Sequence, residues 1–322
     1  MIRFWLIENT KDDRRVDTMV RSVECVSNYR NGNYQVILFP NGTKVRYNDE
    51  DNLTPDFAES IDVTITKYCD NNCPYCYMGC SESGKHGKIL NKKFLDSIPC
   101  GTEIAINGND LSHPELTEFL IYLKNRGVIV NITVSQEHLL KKFSLLKGWQ
   151  DAGLIHGIGV SYHYFDYALI QKSRRVRNLV FHIVIGVVDF NDVRKLKSMR
   201  GRIKVLFLGY KTSGRGDSYL ESDITGFYKN FMEYFNHISD LHTWFSTVCY
   251  DNLAIKQLNI REYVDKSDWE RLFLGEDGQY SYYIDLVDGE YGISSFDSKR
   301  YSLKDVDYDV VKGFHRIREI FT

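Results

Sequence analysis

The sequence has almost no net charge, no long apolar run, no internal repeat and few cysteines outside one short stretch. Each shortage excludes something. Lys and Arg number 41 against 43 Asp and Glu, for a formal net charge of −2. The two signs are well mixed, so no basic field is present to draw nucleic acid or an anionic membrane. No segment approaches the roughly eighteen uninterrupted apolar residues that a membrane span needs. The opening "MIRFWLIENTKDDRR" lacks the basic, long-apolar, small-residue order of a secretion signal. The expected location is therefore cytoplasmic, where thiols stay reduced. Seven cysteines, odd in number and clustered, then point to metal or redox chemistry rather than a disulfide framework. What remains is ordinary globular composition across 322 residues, 43% hydrophobic and 26% charged, with room for a large core. The surplus of 22 Tyr and 18 Phe suits aromatic packing.

The pattern along the chain divides it in three. Residues 1–58 read as a small β-rich appendage: "RFWLIEN" and "YQVILF" have strand length, and "FPNGTKVRY" reads as a turn and a further strand. From Ile61 strands and helices alternate. "IDVTIT", "TEIAIN", "IVNITVS", "IHGIGVS", "LVFHIVIG" and "IKVLFLGY" are each followed by an amphipathic helical stretch, among them "HPELTEFLIYLKNRG" and the single long "HLLKKFSLLKGWQDAG". Parallel neighbours need such crossovers, so residues 59–240 are expected to form an α/β parallel sheet, an open partial (βα)6 barrel. Residues 241–322 are expected to form an α+β extension that closes the barrel mouth. In it "LHTWFSTV" is a possible seventh strand, "YDNLAIKQL" a helix, "GEDGQYSYYIDLVDGEYGIS" a hairpin and "DVDYDVVKGFHRIREIF" a terminal helix.

The chemistry is concentrated in "KYCDNNCPYC", where Cys69, Cys73 and Cys76 follow the first strand of the alternating region. Parallel α/β folds place ligands at this carboxyl edge. Three thiolates can hold three corners of an iron–sulfur cube and leave one iron open to bind a small molecule. Cys80 extends the run to C-x3-C-x2-C-x3-C, which leaves two alternatives: a closed four-cysteine cluster, or a tetrahedral zinc site. The ferredoxin spacing differs at its first step and no second cysteine group follows. Cys25, Cys100 and Cys249 are scattered.

"CDNNCPYC" resembles the C-x3-C-x-aromatic-C signature of the radical S-adenosylmethionine (radical SAM) enzymes, with Tyr75 at the aromatic position. The likeness covers about Glu59 to Tyr210. It implies a [4Fe-4S] cluster on Cys69, Cys73 and Cys76, with the amino and carboxylate groups of S-adenosylmethionine on the fourth iron. Reduction would then give a 5′-deoxyadenosyl radical that takes hydrogen from an organic substrate, a peptide or a nucleotide-like small molecule, with the cofactor carrying the hard chemistry. An electron donor such as flavodoxin or ferredoxin is implied as partner. The family's Gly-Gly-Glu turn after the second strand corresponds to "NGND", so Asn107, Gly108 and Asn109 are candidates for the methionine end. Ser135, Gln136 and Ser161 end the third and fourth strands, where the family holds the ligand's carboxylate and ribose. Val184 and Gly186 match parts of its adenine-flanking pattern, with His182 more simply a core histidine, and Tyr77 matches a position whose backbone meets the adenine amine. Lys211 and Arg215, in "GYKTSGRG", stand where they can meet an anionic group. Cys249 and Asp251 are candidate catalytic residues, as hydrogen donor and base; packing and helix capping are the simpler roles for them. The sequence does not name the substrate. The other reading is a non-catalytic zinc or iron–sulfur module for binding or electron transfer.

Overall fold

A computed structural model describes residues 3–6, 21–50, 52–108, 111–199 and 203–320. Contacts divide the chain into two compact units, 1–57 and 58–322. In the first, β1 (Arg3–Leu6) pairs antiparallel with β2 (Arg21–Glu24). A separate antiparallel sheet follows, made of β3 (Ser27–Asn31), β4 (Tyr34–Leu38) and β5 (Lys44–Tyr47). Its alternation buries Tyr34, Val36 and Leu38. Asn31 ties the unit's end to this sheet, donating to the Phe57 carbonyl and accepting from the Asp56 and Phe57 amides.

In the second unit the described residues build a ten-stranded sheet. Seven parallel strands run side by side in chain order: β6 (Ser60–Thr64), β7 (Glu103–Ile106), β8 (Ile129–Ser135), β9 (Gly157–Ser161), β10 (Leu179–Val184), β11 (Lys204–Leu208) and β12 (Thr247–Tyr250). Between them come α1 (Lys92–Ser97), α2 (Leu116–Asn125), α3 (Gln136–Lys141), α4 (Phe143–Asp151), α5 (Tyr167–Ser173), α6 (Phe190–Lys197), α7 (Gly216–Ser222), α8 (Ile224–Asn236) and α9 (Ile238–Trp244). The six strands expected from the sequence, Ile61 to Tyr210, are there, and the protein is α/β with a large, mostly parallel sheet.

Several details differ from expectation. The stretch written as one helix after β8 is two, α3 and α4, because Lys142 leaves helical geometry at φ −112 and ψ 23. The break lets His138 and Leu139 on one side and Phe143, Leu146 and Trp149 on the other all reach the interior. "LHTW" is helical, in α9, and the seventh strand begins only at Thr247. The tail continues with α10 (Asn252–Gln257), α11 (Lys266–Leu272), β13 (Ser281–Asp285), β14 (Glu290–Gly292), β15 (Tyr301–Ser302) and α12 (Val310–Arg318). The hairpin β13–β14 is present, but β13 also lies parallel to β6, with Tyr283 opposite Asp62. Among the described residues no helix is long and apolar enough to cross a membrane.

Alternation along the parallel strands gives the sheet two faces. Ile61 and Val63, Ile104 and Ile106, Val130 and Ile132, Ile158 and Val160, Phe181 and Ile183, and Val205 and Phe207 are all buried in the apolar core. Burying such side chains contributes about 1.5–3 kcal/mol each before the entropy of ordering them is counted. The opposite face of the same strands carries Asp62, Asn131, Thr133, His182 and Lys204. One face holds the fold, and the other is left for chemistry.

Candidate active site

The cysteine loop leaves β6 and folds back on itself. Thr66 bridges antiparallel to His86 and Tyr68 pairs with Ser81, so residues 66–86 form a pinned excursion. The Lys67 amide donates to the Lys85 carbonyl at 2.9 Å and the Cys69 amide to the Ser81 carbonyl at 3.0 Å. Lys67 Nζ lies 3.3 Å from the buried Asp285 carboxylate and also bonds Asp288, which ties the loop to the turn after β13. Within the loop the Cys76 amide donates to the Cys73 carbonyl and the Gly79 amide to the Cys76 carbonyl. These two turns set the three thiols toward a common chamber.

That chamber, partly open to solvent, lies over the carboxyl ends of β6 to β11. Cys69, Cys73 and Cys76 all line it, as do Tyr75, Tyr77, Gly108, Ser135, Ser161 and Val184 from the sequence reading. Burial, then the neighbouring Cys76 and Cys69, push Cys73 up to about 11. A hydrogen bond from Cys80 lowers Cys76 to about 6 against the opposing effect of burial, while Cys80 itself is raised. Cys80 lines the chamber as well, and soft sulfur donors gathered on one loop are the set that an iron–sulfur cluster takes. On that test the residues present fit a cluster.

Other residues expected at the site are placed nearby rather than on the chamber wall. The Asn107 amide donates to the Val63 carbonyl, and Asn107 Nδ2 reaches Thr64 Oγ1 at 3.5 Å. Gln136 is fully buried, its Oε1 accepting from the His163 amide at 2.9 Å and the Tyr164 amide at 3.4 Å, so it shapes the turn after β9. Gly186 forms the turn after β10 at φ +80, where a Cβ would meet the Phe227 ring at 2.5 Å. Asn109 lies outside the described residues. Asp251 caps α10: its Oδ1 accepts from the Ala254 amide at 2.7 Å and the Gly209 amide at 2.9 Å. Tyr250 stacks on Phe207 in the helix layer. Cys249, opposite Leu206 in register, is exposed and is not among the chamber residues.

Sequence reasoning passed over several lining residues. Tyr162, His163, Leu208, Gly209 and Tyr210 reach the chamber from the ends of β9 and β11. His182, read from the sequence as more simply a core histidine, lines the chamber instead, pushed down to about 4 by burial and therefore neutral near pH 7. Its neighbour in space is Gly159, where a Cβ would lie 2.4 Å from the imidazole. His138 is buried, bonds Asp70 through Nε2 and, among the described residues, has no partner at Nδ1. Donor atoms of Cys69, Asp70 and His138 lie within 4.8 Å of one another. The usable signal for His138 was its place on the first turn after β8, three residues beyond the N-cap Ser135. Glu137 is held down to about 2: burial pushes its carboxyl up, but the His163 hydrogen bond and charge outweigh it. Lys211, which the sequence did single out, lines the chamber with Nζ 4.2 Å from the Tyr77 ring centre and 3.1 Å from Ser295 Oγ.

Comparison with known proteins adds little. No protein-family model matches the chain, and no curated protein matches it. Among solved structures, the crystal structure of SuiB from Streptococcus suis aligns over 88% of this chain and 86% of its own, at 10% identity and a TM-score of 0.49. A likeness at that level leaves the chemistry to be argued from the residues themselves.

Proposed function

We propose that the protein is a radical SAM enzyme built on an open partial barrel. The observation that carries this is the convergence of Cys69, Cys73 and Cys76, spaced C-x3-C-x2-C, on one chamber at the carboxyl edge of a parallel sheet. Cys69, Cys73 and Cys76 would hold a [4Fe-4S] cluster. Gly108, Ser135, Ser161, Val184 and Tyr77 offer walls for S-adenosylmethionine, and Gly108 in particular leaves open space where a side chain would stand. When bound and reduced, the pair supplies a 5′-deoxyadenosyl radical able to take hydrogen from an organic substrate. The chain's own residues bind, orient and shield. Tyr75, packed edge-on against His163 and Tyr219, excludes water beside the thiols. His182 offers a neutral imidazole, and Lys211 a cation, to what enters. Cys249 shares the face that bears His182 but stands exposed outside the chamber, so hydrogen donation from it would need a substrate that extends beyond the chamber wall. Asp251 is committed to two backbone amides and suits positioning of the β11 end better than proton transfer.

Anaerobic reconstitution tests the reading. About four irons per chain with matching sulfide are expected, together with 5′-deoxyadenosine from S-adenosylmethionine on reduction. A second reading has one observation in its favour. Cys69, Asp70 and His138 form a sulfur, oxygen and nitrogen set of the kind zinc takes. A colourless protein holding one zinc, which survives Cys73→Ala and is lost in His138→Ala, would establish that alternative and dispose of the first.

A further inference from the structure

We propose that Ser213, Gly214 and Arg215 form a positioning clamp that presets the cysteine loop before any metal arrives and fixes a cation at its edge. The inference rests on the reading that this loop holds the cluster, and goes beyond it by assigning the loop's geometry to a segment more than a hundred residues away in sequence. Arg215 makes three contacts to loop carbonyls. Its amide donates to the Cys76 carbonyl at 3.0 Å, its Nε to the Cys73 carbonyl at 2.9 Å and its Nη2 to the Cys80 carbonyl at 2.9 Å. Ser213 Oγ adds a fourth contact, to the Tyr77 carbonyl at 3.1 Å. Two ligand carbonyls and two flanking ones are thus received by one tripeptide. Gly214 makes the approach possible. Its φ is +59, and a Cβ there would stand 2.4 Å from the Tyr77 oxygen and 2.7 Å from the Cys76 oxygen.

The segment is itself anchored at both ends. Tyr210 bonds the Gly216 carbonyl through its hydroxyl, its amide donates to Gln257 Oε1, and the Tyr219 amide donates to the Arg215 carbonyl as α7 begins. The clamp therefore transmits the rigidity of β11 and two helices to a loop that leaves β6.

The chemistry of the contacts also matters. Among the described residues the Arg215 guanidinium has no carboxylate partner; its donors go to neutral carbonyls. Its charge thus stands beside the cysteine loop, held there by the carbonyls of Cys73 and Cys80. A fixed cation beside a cysteine-ligated cluster favours the more negative, reduced form. Lysine would keep the charge but lose the forked geometry that spans two carbonyls.

Two measurements decide the proposal. In the cluster-free chain, hydrogen–deuterium exchange across residues 69–80 should quicken by about tenfold or more in Arg215→Ala and Gly214→Ala, the effect of losing about two hydrogen bonds. Peptides from β7 and β8 should be unchanged. In the reconstituted protein, Arg215→Ala should take up iron more slowly and show a more negative midpoint potential. Arg215→Lys should restore the potential but not the exchange protection. Should Arg215→Ala fail to fold, Ser213→Ala and Arg215→Lys decide the exchange arm by the same criterion. Wild-type exchange across residues 69–80 in these variants overturns the clamp, and an unchanged midpoint in Arg215→Ala overturns the role of the cation. Absence of any iron uptake by the wild type would sink the cluster reading instead, while the exchange arm would still judge the clamp.

Discussion

Replacing Asp62 by asparagine should stabilise the chain above about pH 6 and change little below about pH 4. Asp62 sits mid-strand in β6, and its neighbours Ile61 and Val63 are buried on the other face. The side chain is accessible to water yet closely enclosed by protein. Burial first, with Asp277 and Asp251 adding like charge against the opposing Lys211, carries its carboxyl from 3.8 to about 6. The sign follows from linkage. The folded chain holds this proton more tightly than the unfolded one, so folding is favoured when the group is protonated. That advantage is lost as pH rises through the interval from 3.8 to about 6. The full displacement corresponds to about 3 kcal/mol against the charged form. Because water reaches the side chain, screening reduces this to about 1 kcal/mol. Urea unfolding of wild type and Asp62→Asn should therefore separate by about 1 kcal/mol near pH 7.5, or about 2 °C in Tm, and converge toward pH 4.5. A variant no more stable than wild type near pH 7.5 would refute the argument. So would a gain of equal size at both ends of the range, which would mean that charge is not its source.

Cys69→Ala, Cys73→Ala and Cys76→Ala should each abolish iron binding, whereas Cys80→Ala should keep the chromophore and the cleavage of S-adenosylmethionine. Iron analysis and visible absorption check this, and equal loss in all four would indicate a closed four-thiolate site. Gly108→Val meets no neighbour among the described residues within 4 Å of the added Cβ, so it should leave Tm and iron content near wild type while weakening S-adenosylmethionine binding at least tenfold by filling the chamber. Wild-type affinity would free Gly108 from any role at the ligand. Asn230→Ala removes bonds to the Gly186 and Val188 carbonyls and to the Phe190 amide, which together fix the turn after β10. A loss of about 2 kcal/mol in urea unfolding is expected, and a change below about 0.5 kcal/mol would show that the turn holds without it.

Local pattern carried most of the fold and about half of the candidate site. The strands from "IDVTIT" to "IKVLFLGY" could be read because each is a short β-branched run ended by a turn, and because the helices between them keep one apolar stripe. The parallel position of β13 beside β6 could not be read. A hairpin sequence specifies the antiparallel pairing of Tyr283 with Gly292, but nothing in "SYYID" says that its other edge will meet Asp62. The break at Lys142 was hidden for a similar reason. Propensity favours one helix through "HLLKKFSLLKGWQ", and only the need to bury both His138 and Trp149 divides it. At the site, motif spacing led to the cysteines, strand-end position to Ser135 and Ser161, and likeness to the family's adenine-flanking pattern to Val184. His138, Tyr162 and Tyr210 carry no motif, and their place depends on how far each strand extends. Arg215 was visible as a cation near the chamber, but its direction was not, because whether a guanidinium meets a ligand or a carbonyl depends on a loop more than a hundred residues earlier.

The two faces of the sheet explain why the chemistry gathers where it does. The parallel strands send apolar residues into the helix layer, while the opposite side carries small or polar residues such as Asp62, Thr133, Gly159 and His182 beside Val184, Leu206 and Leu208. Gly159 lets the His182 imidazole lie across β9, as a larger residue there would meet it at 2.4 Å. Asp62, His182 and Cys249 consequently project on the side where the cysteine loop closes over the strand ends, and none of them is needed by the apolar core. Their unfavourable ionisation is the cost of standing on that face: Asp62 is raised, and His182 is lowered until it stays neutral near pH 7. Leucine in place of His182 would avoid the cost of burying an imidazole and would take that polar group off the chamber wall. The strain is confined to residues that the fold does not require, which is where a bound ligand can relieve it.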